Sequence, residues 1–366
     1  MNIGILGGGQ LGRMLALAGY PLGLHFRFLD PNPDAPMRRL AEQMTGDYSD
    51  VQLLRKFADG LDLVTWEFEN VPVETAHFLE QRVAVFPPPA ALEAGQDRLV
   101  EKTFFKTEGV PTTAFLPVES LFDLEDALVR IGLPAVLKTR RMGYDGKGQA
   151  VLRQSADIRT AWDALGGMPL LLESFVPFQR ELSLIGVRGR DGETAFYPLV
   201  ENQHREGILR LTLAPAPRLT QELQDQAEAY VTRIMDALDY VGVLAVEFFE
   251  VNGALLANEL APRVHNTGHW TIECAETSQF ENHLRAILGL PLGDTEAVGC
   301  AAMVNLIGEV PDPADVLGMP DTHLHLYGKE VRPGRKLGHI TLRADDEAVR
   351  DTMLLALTGF LPGGAW

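Results

Sequence analysis

Four short apolar segments in the first hundred residues constrain the fold more than any other feature of the chain. They cover Asn2–Leu6, Leu24–Leu29, Leu61–Phe68 and Val83–Phe86, and Leu11–Ala18 between the first two has the apolar spacing of a helix. Continuous apolar strands separated by helices are typical of a parallel sheet with right-handed crossovers, because both faces of such a sheet are covered. The segments therefore predict a parallel α/β domain at the N-terminus.

The chain has 366 residues, more than the roughly 250–300 at which a single hydrophobic core stops growing. The three consecutive prolines Pro87–Pro89 interrupt the α/β pattern and indicate a linker. Short strands around a glycine-rich segment follow, and longer strands with a helix at about Gln221–Leu238 come after them. We therefore expect a multidomain protein that combines α/β and α+β parts.

The charge balance restricts the partners of this chain. It has 32 Lys and Arg against 50 Asp and Glu, a formal net charge of −18, which repels the phosphate backbone of a nucleic acid. Its two cysteines form neither a disulfide framework nor a zinc-ligand pattern. The start of the chain has no signal-peptide pattern, and no apolar run reaches the roughly 20 residues of a membrane span. A cytoplasmic protein without nucleic-acid or membrane partners is expected.

A glycine-rich turn follows the first strand. Gly7, Gly9 and Gly12 have the spacing of a dinucleotide-binding fingerprint, and Asp30 ends the second strand near the position of a ribose-binding acid. In the alternative interpretation, the glycines only form the turn and leave their amides facing some other anion. The turn alone therefore leaves an NAD-dependent oxidoreductase open.

Lys138 and the loop that follows it predict a polyphosphate site. Lys138 ends an apolar strand, and five residues later the loop Gly143–Gln149 contains three glycines and Lys147. An ammonium suits a phosphate oxygen, and a glycine-rich loop can close over polyphosphate with its backbone amides. Glu173 and Glu181 at the ends of two further strands could receive an adenine amino group and ribose hydroxyls. A glycine-rich surface hairpin and solvated strand ends are the alternatives.

Two glutamates interrupt apolar strands close together in the sequence. Glu247 and Glu259 lie on either side of Gly253, so their strands should pair antiparallel through a hairpin turn. Both carboxylates can then project to one face and hold Mg²⁺, with phosphate oxygens as further ligands. Two buried glutamates without a metal would be costly. The polar loop 262–269 follows directly and should lie beside the transferred phosphate.

Four basic residues lie within eight positions near the C-terminus of this acidic chain. These residues are Lys329, Arg332, Arg335 and Lys336. A phosphorylated substrate of a protein with net charge −18 must be met by such a local cationic cluster or by a metal. A solvated basic turn is the alternative.

The motifs together resemble the ATP-grasp superfamily, on Lys138, the loop G-Y-D-G-K-G-Q and the pair Glu247 and Asn258-Glu259. Four more motifs are similar to the 5-(carboxyamino)imidazole ribonucleotide synthetases, the ATPase subunits of phosphoribosylaminoimidazole carboxylase: G-G-G-Q-L-G, T-W-E-F-E-N, P-R-V-H-N-T-G-H and G-R-K-L-G-H. The resemblance implies a Rossmann-like preATP-grasp domain over 1–100, a lid domain over 101–190, and a domain with metal, nucleotide and substrate segments over 191–366.

The resemblance also implies a reaction of purine biosynthesis. ATP phosphorylates bicarbonate to carboxyphosphate, and the amine of 5-aminoimidazole ribonucleotide then takes the carboxyl group, with ADP and phosphate released. ATP, Mg²⁺ and a homodimer are expected with it. Rival interpretations are a formate-dependent glycinamide ribonucleotide transformylase, a biotin carboxylase, an NAD-dependent oxidoreductase and a catalytically silent nucleotide sensor.

The family pattern assigns roles residue by residue. It assigns ATP binding to Arg98, Lys138, Gly143, Tyr144, Asp145, Gly146, Lys147, Gly148, Gln149, Glu173, Ser174, Phe175, Val176, Glu181, His204, Asn258 and Glu259. It assigns the metal to Glu247 and Glu259, and catalysis to Asp145, Arg263 and Lys329. It assigns substrate binding to Gln10, Glu67, His265, Asn266, Arg335 and Lys336. Lys147 departs from the arginine common in the family, so a point charge replaces a bidentate fork there.

Overall fold

The N-terminal part of the protein is the predicted parallel sheet. The computed structural model describes residues 1–143 and 146–361, and in these ranges the strands form sheets of five, four and nine strands. The first of them, the N-terminal sheet, has the order β3-β2-β1-β4-β5 with every pairing parallel. Its elements are β1 (Asn2–Leu6), α1 (Gln10–Gly19), β2 (His25–Asp30), β3 (Glu42–Thr45), α2 (Val51–Ala58), β4 (Leu63–Trp66), α3 (Val73–Glu80) and β5 (Ala84–Val85).

Two helices connect this sheet to the rest of the chain, α4 (Pro89–Gln96) and α5 (Arg98–Thr107). The linker predicted at Pro87–Pro89 was wrong at its last residue, because Pro89 is the first residue of α4. Proline suits that position, since the N–H that it lacks would have no partner in the first helical turn. Asp97 caps α5 by accepting from the Leu99 amide.

An antiparallel sheet of four strands, the small sheet, follows in the order β6-β9-β7-β8. Two helices pack on it around a separate apolar core that includes Leu124, Leu137 and Leu172. The small sheet ends at Ser174, and the next strand already belongs to another sheet. The predicted domain boundaries at residues 100 and 190 stay predictions. The elements are β6 (Phe115–Val118), α6 (Leu121–Ile131), β7 (Ala135–Thr139), β8 (Gln149–Leu152), α7 (Asp157–Leu165) and β9 (Leu170–Ser174).

The remaining strands form the large sheet, in the order β15-β14-β10-β12-β13-β16-β18-β17 with β11 paired to β10. The strands predicted at Val241–Glu250 and Ala254–Leu260 are confirmed as an antiparallel pair. The single strand predicted at Thr194–Val200 was wrong, because two strands start there. The elements are β10 (Arg180–Arg188), β11 (Thr194–Phe196), β12 (Val200–Arg205), β13 (Ile208–Ala214), α8 (Gln221–Ala237), β14 (Gly242–Val251), β15 (Ala254–Ala261), α9 (Thr271–Cys274), α10 (Gln279–Leu288), β16 (Cys300–Ile307), α11 (Pro313–Leu317), β17 (Thr322–Leu326), β18 (Lys336–Ala344) and α12 (Glu347–Leu357).

The N-terminal sheet and the large sheet share one apolar core. Ile3 and Phe28 belong to the same buried cluster as Val243 and Met303. The Trp66 indole N–H, at the end of β4, donates to the Pro262 carbonyl over 2.9 Å. The loop 262–269 is therefore fixed beside the carboxyl edge of the parallel strands. Within the two described ranges, no helix combines the length and the apolar character that crossing a bilayer requires.

Two carboxylates accept hydrogen bonds from the backbone amides of the glycine turn and of the first residues of α1. The Gly8 amide donates to Asp30 Oδ2 over 2.8 Å, and the amides of Gly9, Leu11 and Gly12 donate to Glu67 at 2.6–3.1 Å. A dinucleotide pyrophosphate would need these same amides. The turn is therefore built around the protein's own anions.

We expect NAD and NADP not to bind at micromolar concentrations, because their pyrophosphate would meet two carboxylates where it needs free amides. Isothermal titration calorimetry with each dinucleotide measures this, and ADP added to the same sample serves as the positive control. Micromolar affinity for either nicotinamide would revive the oxidoreductase interpretation.

Candidate active site

A cleft of about 370 Å³ lies where the three sheets meet. Strands β7 and β8 of the small sheet line one wall, strands of the large sheet line another, and the first residues of α1 contribute from the N-terminal sheet. It brings together these predicted residues: Gln10, Arg98, Lys138, Gly146, Lys147, Gln149, Glu181, His204, Glu247, Asn258, Glu259, Arg263, His265, Asn266 and Lys336.

Other predicted residues lie outside the lining of this cleft. The carboxylate of Glu67 accepts a hydrogen bond from the backbone of the glycine turn, and that of Glu173 is buried behind Lys138. An ATP contact from Glu173 would therefore have to come from its backbone. Tyr144 and Asp145 lie outside the described residues. The assigned roles of all of these residues stay predictions. The others outside the lining are Gly143, Gly148, Ser174, Phe175, Val176, Lys329 and Arg335.

Glu247 and Glu259 face each other across the hairpin of β14 and β15. They are direct partners in the antiparallel register, and a bulge follows Glu247. Burial, together with the charge of Glu259, raises the pKa of Glu247 to about 7, although the nearby His204 opposes the shift. The chain itself thus leaves these carboxylates short of positive charge.

The donor chemistry of this pair fits Mg²⁺. Carboxylate oxygens are the ligands that this hard cation prefers, and it commonly takes only one or two of them beside substrate phosphates. In the described part of the chain, no group of three or more His, Cys, Asp or Glu side chains is arranged to hold a metal. The two glutamates would therefore have to share the cation with another ligand.

Two cations, Arg98 and Lys138, stand on the walls of the same cleft. The Lys138 ammonium donates to Glu173 Oε2 over 3.0 Å, and an Arg98 guanidinium nitrogen lies 3.6 Å from Glu259 Oε2. Burial alone would raise the pKa of Glu173, but Lys138 and Lys102 together lower it to about 2. Lys138 is thus held in place by a permanently ionised carboxylate.

The loop 262–269 is held by side-chain hydrogen bonds. The Gln279 amide group accepts from the His265 N–H over 2.9 Å and donates to the His265 carbonyl over 2.6 Å. Asn266 exchanges two hydrogen bonds with Asn305 on β16, at 3.0 and 2.8 Å. Burial and the neighbouring charge of Arg263 lower the pKa of His265 well below its usual value, so its imidazole is neutral. The loop presents fixed, mostly uncharged donors.

Sequence reasoning missed Glu69, which lines the cleft and forms a salt bridge with Arg263. It lies in the same T-W-E-F-E-N motif as Glu67, so its residue type was visible, but its partner is 194 positions away. The apolar lining was missed as well, including the rings of Phe178 and Phe249, which stack with centroids 4.7 Å apart.

The predicted basic cluster is divided in the structure. Lys336 lines the cleft, and the Lys329 ammonium donates to the Gln10 side chain at the start of α1. Arg332 is exposed and pairs with Glu330, whereas Arg335 donates to the Glu330 carbonyl over 3.3 Å. These four residues therefore have different partners, and their joint role stays a prediction.

Comparison with known proteins gives consistent matches along the chain. The family models that match are the ribonucleotide synthetase preATP-grasp domain over residues 1–96, the ATP-grasp domain over 103–280, and the phosphoribosylaminoimidazole carboxylase C-terminal domain over 301–352. The N5-carboxyaminoimidazole ribonucleotide synthase of Pseudomonas aeruginosa is 59% identical over 95% of this chain and 96% of its own length.

Two solved structures show the same similarity in three dimensions. The crystal structure of N5-carboxyaminoimidazole ribonucleotide synthetase from Thermus thermophilus has a TM-score of 0.96 and 62% identity, covering 100% of this chain and 99% of that one. The Aspergillus clavatus N5-carboxyaminoimidazole synthase, in complex with ADP and 5-aminoimidazole ribonucleotide, has a TM-score of 0.92 and 31% identity, with 98% of each chain covered.

The raised pKa of Glu247 predicts how stability depends on pH. A carboxyl whose folded pKa is about 7, above its unfolded value of 4.5, stabilises the protein less as pH rises through that interval. In the wild type, this carboxyl should lower the free energy of unfolding by up to about 3 kcal/mol between pH 4.5 and 8. We expect this decrease to be absent in Glu247→Gln. Urea unfolding of both proteins across this range measures the effect. Glu222→Gln, an exposed position at the start of α8, is the control, and equal pH dependence in wild type and Glu247→Gln would contradict the assignment.

Proposed function

Because this chain belongs to the N5-carboxyaminoimidazole ribonucleotide synthase family of ATP-grasp enzymes, we propose that its cleft is the site of that family's reaction. The protein is an ATP-dependent carbon–nitrogen ligase of purine biosynthesis. It converts 5-aminoimidazole ribonucleotide and bicarbonate to N5-carboxyaminoimidazole ribonucleotide, with ADP and phosphate as the other products. One observation carries the assignment to this cleft, namely that its walls combine the facing pair Glu247 and Glu259 with Arg98 and Lys138.

The chemistry requires phosphate activation, because bicarbonate is a poor electrophile. A bicarbonate oxygen attacks the terminal phosphorus of ATP, the bond to ADP breaks, and carboxyphosphate forms. The amine nitrogen of the ribonucleotide then attacks the carboxyl carbon. The bond from that carbon to the phosphate oxygen breaks, phosphate leaves, and the amine loses a proton. Charge develops on the transferred phosphoryl group and then on the departing phosphate, so cations along both paths lower the barriers.

Arg98 and Lys138 supply fixed positive charge for the polyphosphate of ATP. Glu247 and Glu259 would hold Mg²⁺, which when bound neutralises phosphate charge and polarises the transferred group. The stacked rings of Phe178 and Phe249 offer a flat apolar wall that suits a purine base. The nucleotide would then lie between the small sheet and the large sheet.

Arg263 and the neutral His265 are proposed to surround bicarbonate and the carboxyl group formed from it. The salt bridge from Glu69 fixes the Arg263 guanidinium, so its remaining N–H groups are oriented before substrate arrives. Lys336 lines the same cleft and Lys329 contacts Gln10, and both contacts support the proposal that these lysines act on the ribonucleotide. Asn266 would orient the substrate through a side chain that Asn305 already holds.

Protection of carboxyphosphate from water is the proposed role of the loop that contains Gly146 and Gly148. Both glycines have a positive φ of 73°, and a Cβ on Gly146 would lie 2.4 Å from the Glu206 carbonyl oxygen. Gly146 thus packs against the turn between β12 and β13. Only glycine permits this close approach. A homodimer and a cytoplasmic location complete the proposal, and light scattering after size-exclusion chromatography tests the former.

The activity is tested by ADP release with each acceptor offered in turn. We expect release to require both bicarbonate and 5-aminoimidazole ribonucleotide, with N5-carboxyaminoimidazole ribonucleotide formed in equal amount. Glu259→Gln should lower turnover by at least about a hundredfold, since one charge of the facing pair is lost. ADP release driven instead by glycinamide ribonucleotide with formate would refute the substrate assignment.

The basic residues near the C-terminus should act on the ribonucleotide and not on ATP. A charge-assisted contact to its phosphate is worth roughly 1.5–3 kcal/mol, or about tenfold to a hundredfold in affinity. We expect Arg335→Ala and Lys336→Ala to raise KM for the ribonucleotide by at least about tenfold and to leave KM for ATP within about twofold. Lys329→Ala should instead lower kcat.

Steady-state kinetics with each substrate varied separately measures these effects. Arg332→Ala is the matched control, because Arg332 is exposed and pairs with Glu330 in the same turn. Equal increases in KM for ATP and for the ribonucleotide would mean that these residues act on ATP or on the stability of the fold instead.

A further inference from the structure

A buried lysine that the proposed chemistry does not use lies behind the cleft. Lys102 on α5 is 1% exposed and is not part of the cleft lining. Its ammonium donates to Thr112 Oγ1 over 3.1 Å and to the Ala257 carbonyl over 3.3 Å, and it lies 3.7 Å from Glu173 Oε2. Three acceptors therefore surround its three N–H groups, the arrangement that a charged ammonium requires.

The same carboxylate oxygen also receives Lys138. Glu173 Oε2 accepts from the Lys138 ammonium over 3.0 Å and from Thr113 Oγ1 over 3.3 Å. The other oxygen, Oε1, is buried and has no hydrogen-bond partner among residues 1–143 and 146–361. Two ammonium groups thus share one oxygen of one carboxylate. The group carries a net charge of +1, which only Lys138, with its side chain 14% exposed, presents to the cleft.

Lys102 also lies at the junction of three parts of the fold. Glu173 and Lys138 belong to β9 and β7 of the small sheet, and Lys102 belongs to α5. The carbonyl of Ala257 is on β15 of the large sheet, two residues before Glu259. The Thr112 hydroxyl donates to this carbonyl as well, over 2.7 Å. The Lys102 ammonium therefore connects the strand that carries Glu173, the salt-bridge partner of Lys138, with the strand that carries Glu259.

Packing alone does not explain a lysine at this position. Moving an ammonium from water to a buried site is costly, and burial lowers the pKa of Lys102 while Glu173 opposes that shift. An apolar side chain of similar length would fill the same space without this cost. What it could not do is balance part of the charge of Glu173.

We propose that Lys102 is a positioning residue of the nucleotide site, which shares the charge of Glu173 so that Lys138 keeps positive charge available for the polyphosphate. This inference rests on the proposed ATP site. Without Lys102, the charge of Glu173 is balanced by Lys138 alone, and the net charge of the group falls from +1 to 0. The Lys138 ammonium is then drawn fully into its salt bridge and attracts phosphate less.

The test compares Lys102→Met with the double variant Lys102→Met/Glu173→Gln. The single variant has net charge 0, whereas the double variant has net charge +1 again, on Lys138. We expect the single variant to raise KM for ATP and Kd for ADP by about tenfold and to leave KM for the ribonucleotide within about twofold. The double variant should recover most of the ADP affinity. Lys106→Met, at an exposed position on the same helix, is the control, and Lys102→Arg should stay close to wild type.

Calorimetry with ADP and steady-state kinetics give the two measurements, and the thermal unfolding midpoint of each variant shows whether it is folded. An unchanged Kd for ADP in Lys102→Met, or a double variant as weak as the single one, would overturn the proposal in favour of a purely structural lysine. Equal increases in KM for ATP and in KM for the ribonucleotide would overturn the proposal as well.

Failure of the single variant to fold and absence of wild-type activity would each still allow a test. If Lys102→Met fails to fold, the double variant has no uncompensated carboxylate and carries the test alone. ADP affinity within about threefold of wild type then supports the proposal, and a loss of about tenfold or more refutes it. If wild type shows no ADP release with bicarbonate and the ribonucleotide, the proposed function fails, whereas ADP binding by the variants still decides the role of Lys102.

Discussion

The antiparallel pairing of β14 with β15 is the contact on which the cleft depends, because these strands carry both facing glutamates. It places Glu247 directly across from Glu259, and the rest of β15 is held from outside the large sheet along its length. Lys102 donates to its Ala257 carbonyl, and the buried carboxylate of Glu101 accepts from the Leu260 amide over 2.6 Å. Immediately after β15, the carbonyl of Pro262 accepts a hydrogen bond from the Trp66 indole of the N-terminal sheet. A shift of β15 by one residue would turn Glu259 away from Glu247 and would disrupt the contacts of this strand with Lys102 and Glu101.

The buried carboxylates of this protein are stabilised in ways that leave some of its cations able to interact with ligands. Burial raises the pKa of Glu67, whereas backbone amides and the nearby charge of Lys329 oppose that shift. Burial and the nearby charge of Glu259 raise the pKa of Glu101 to about 8, so that carboxyl is largely protonated at neutral pH. Arg98 and Lys138 can therefore act on anions that enter the cleft. In a chain with net charge −18, this arrangement would supply the local positive charge that the proposed polyphosphate site requires.

The sequence by itself determined the features that depend on local pattern. Apolar runs separated by helices predicted the parallel N-terminal sheet, and the turn at Gly253 predicted the hairpin that brings Glu247 and Glu259 together. Both are local because each involves neighbouring elements whose spacing follows directly from strand and helix geometry. The family resemblance added candidate ligands for the cleft, and most of those within the described residues line it.

Only the tertiary structure decided which distant groups became partners. Glu69 meets Arg263 across 194 positions, and Lys102 meets Ala257 across 155. The same is true of the C-terminal segment, whose strands extend the large sheet through the pairing of β13 with β16. No local pattern encodes these contacts, because side-chain charge and strand propensity show what a residue can bind and not which residue reaches it. Packing of the three sheets makes that choice, since it sets which strand edges and helix faces meet.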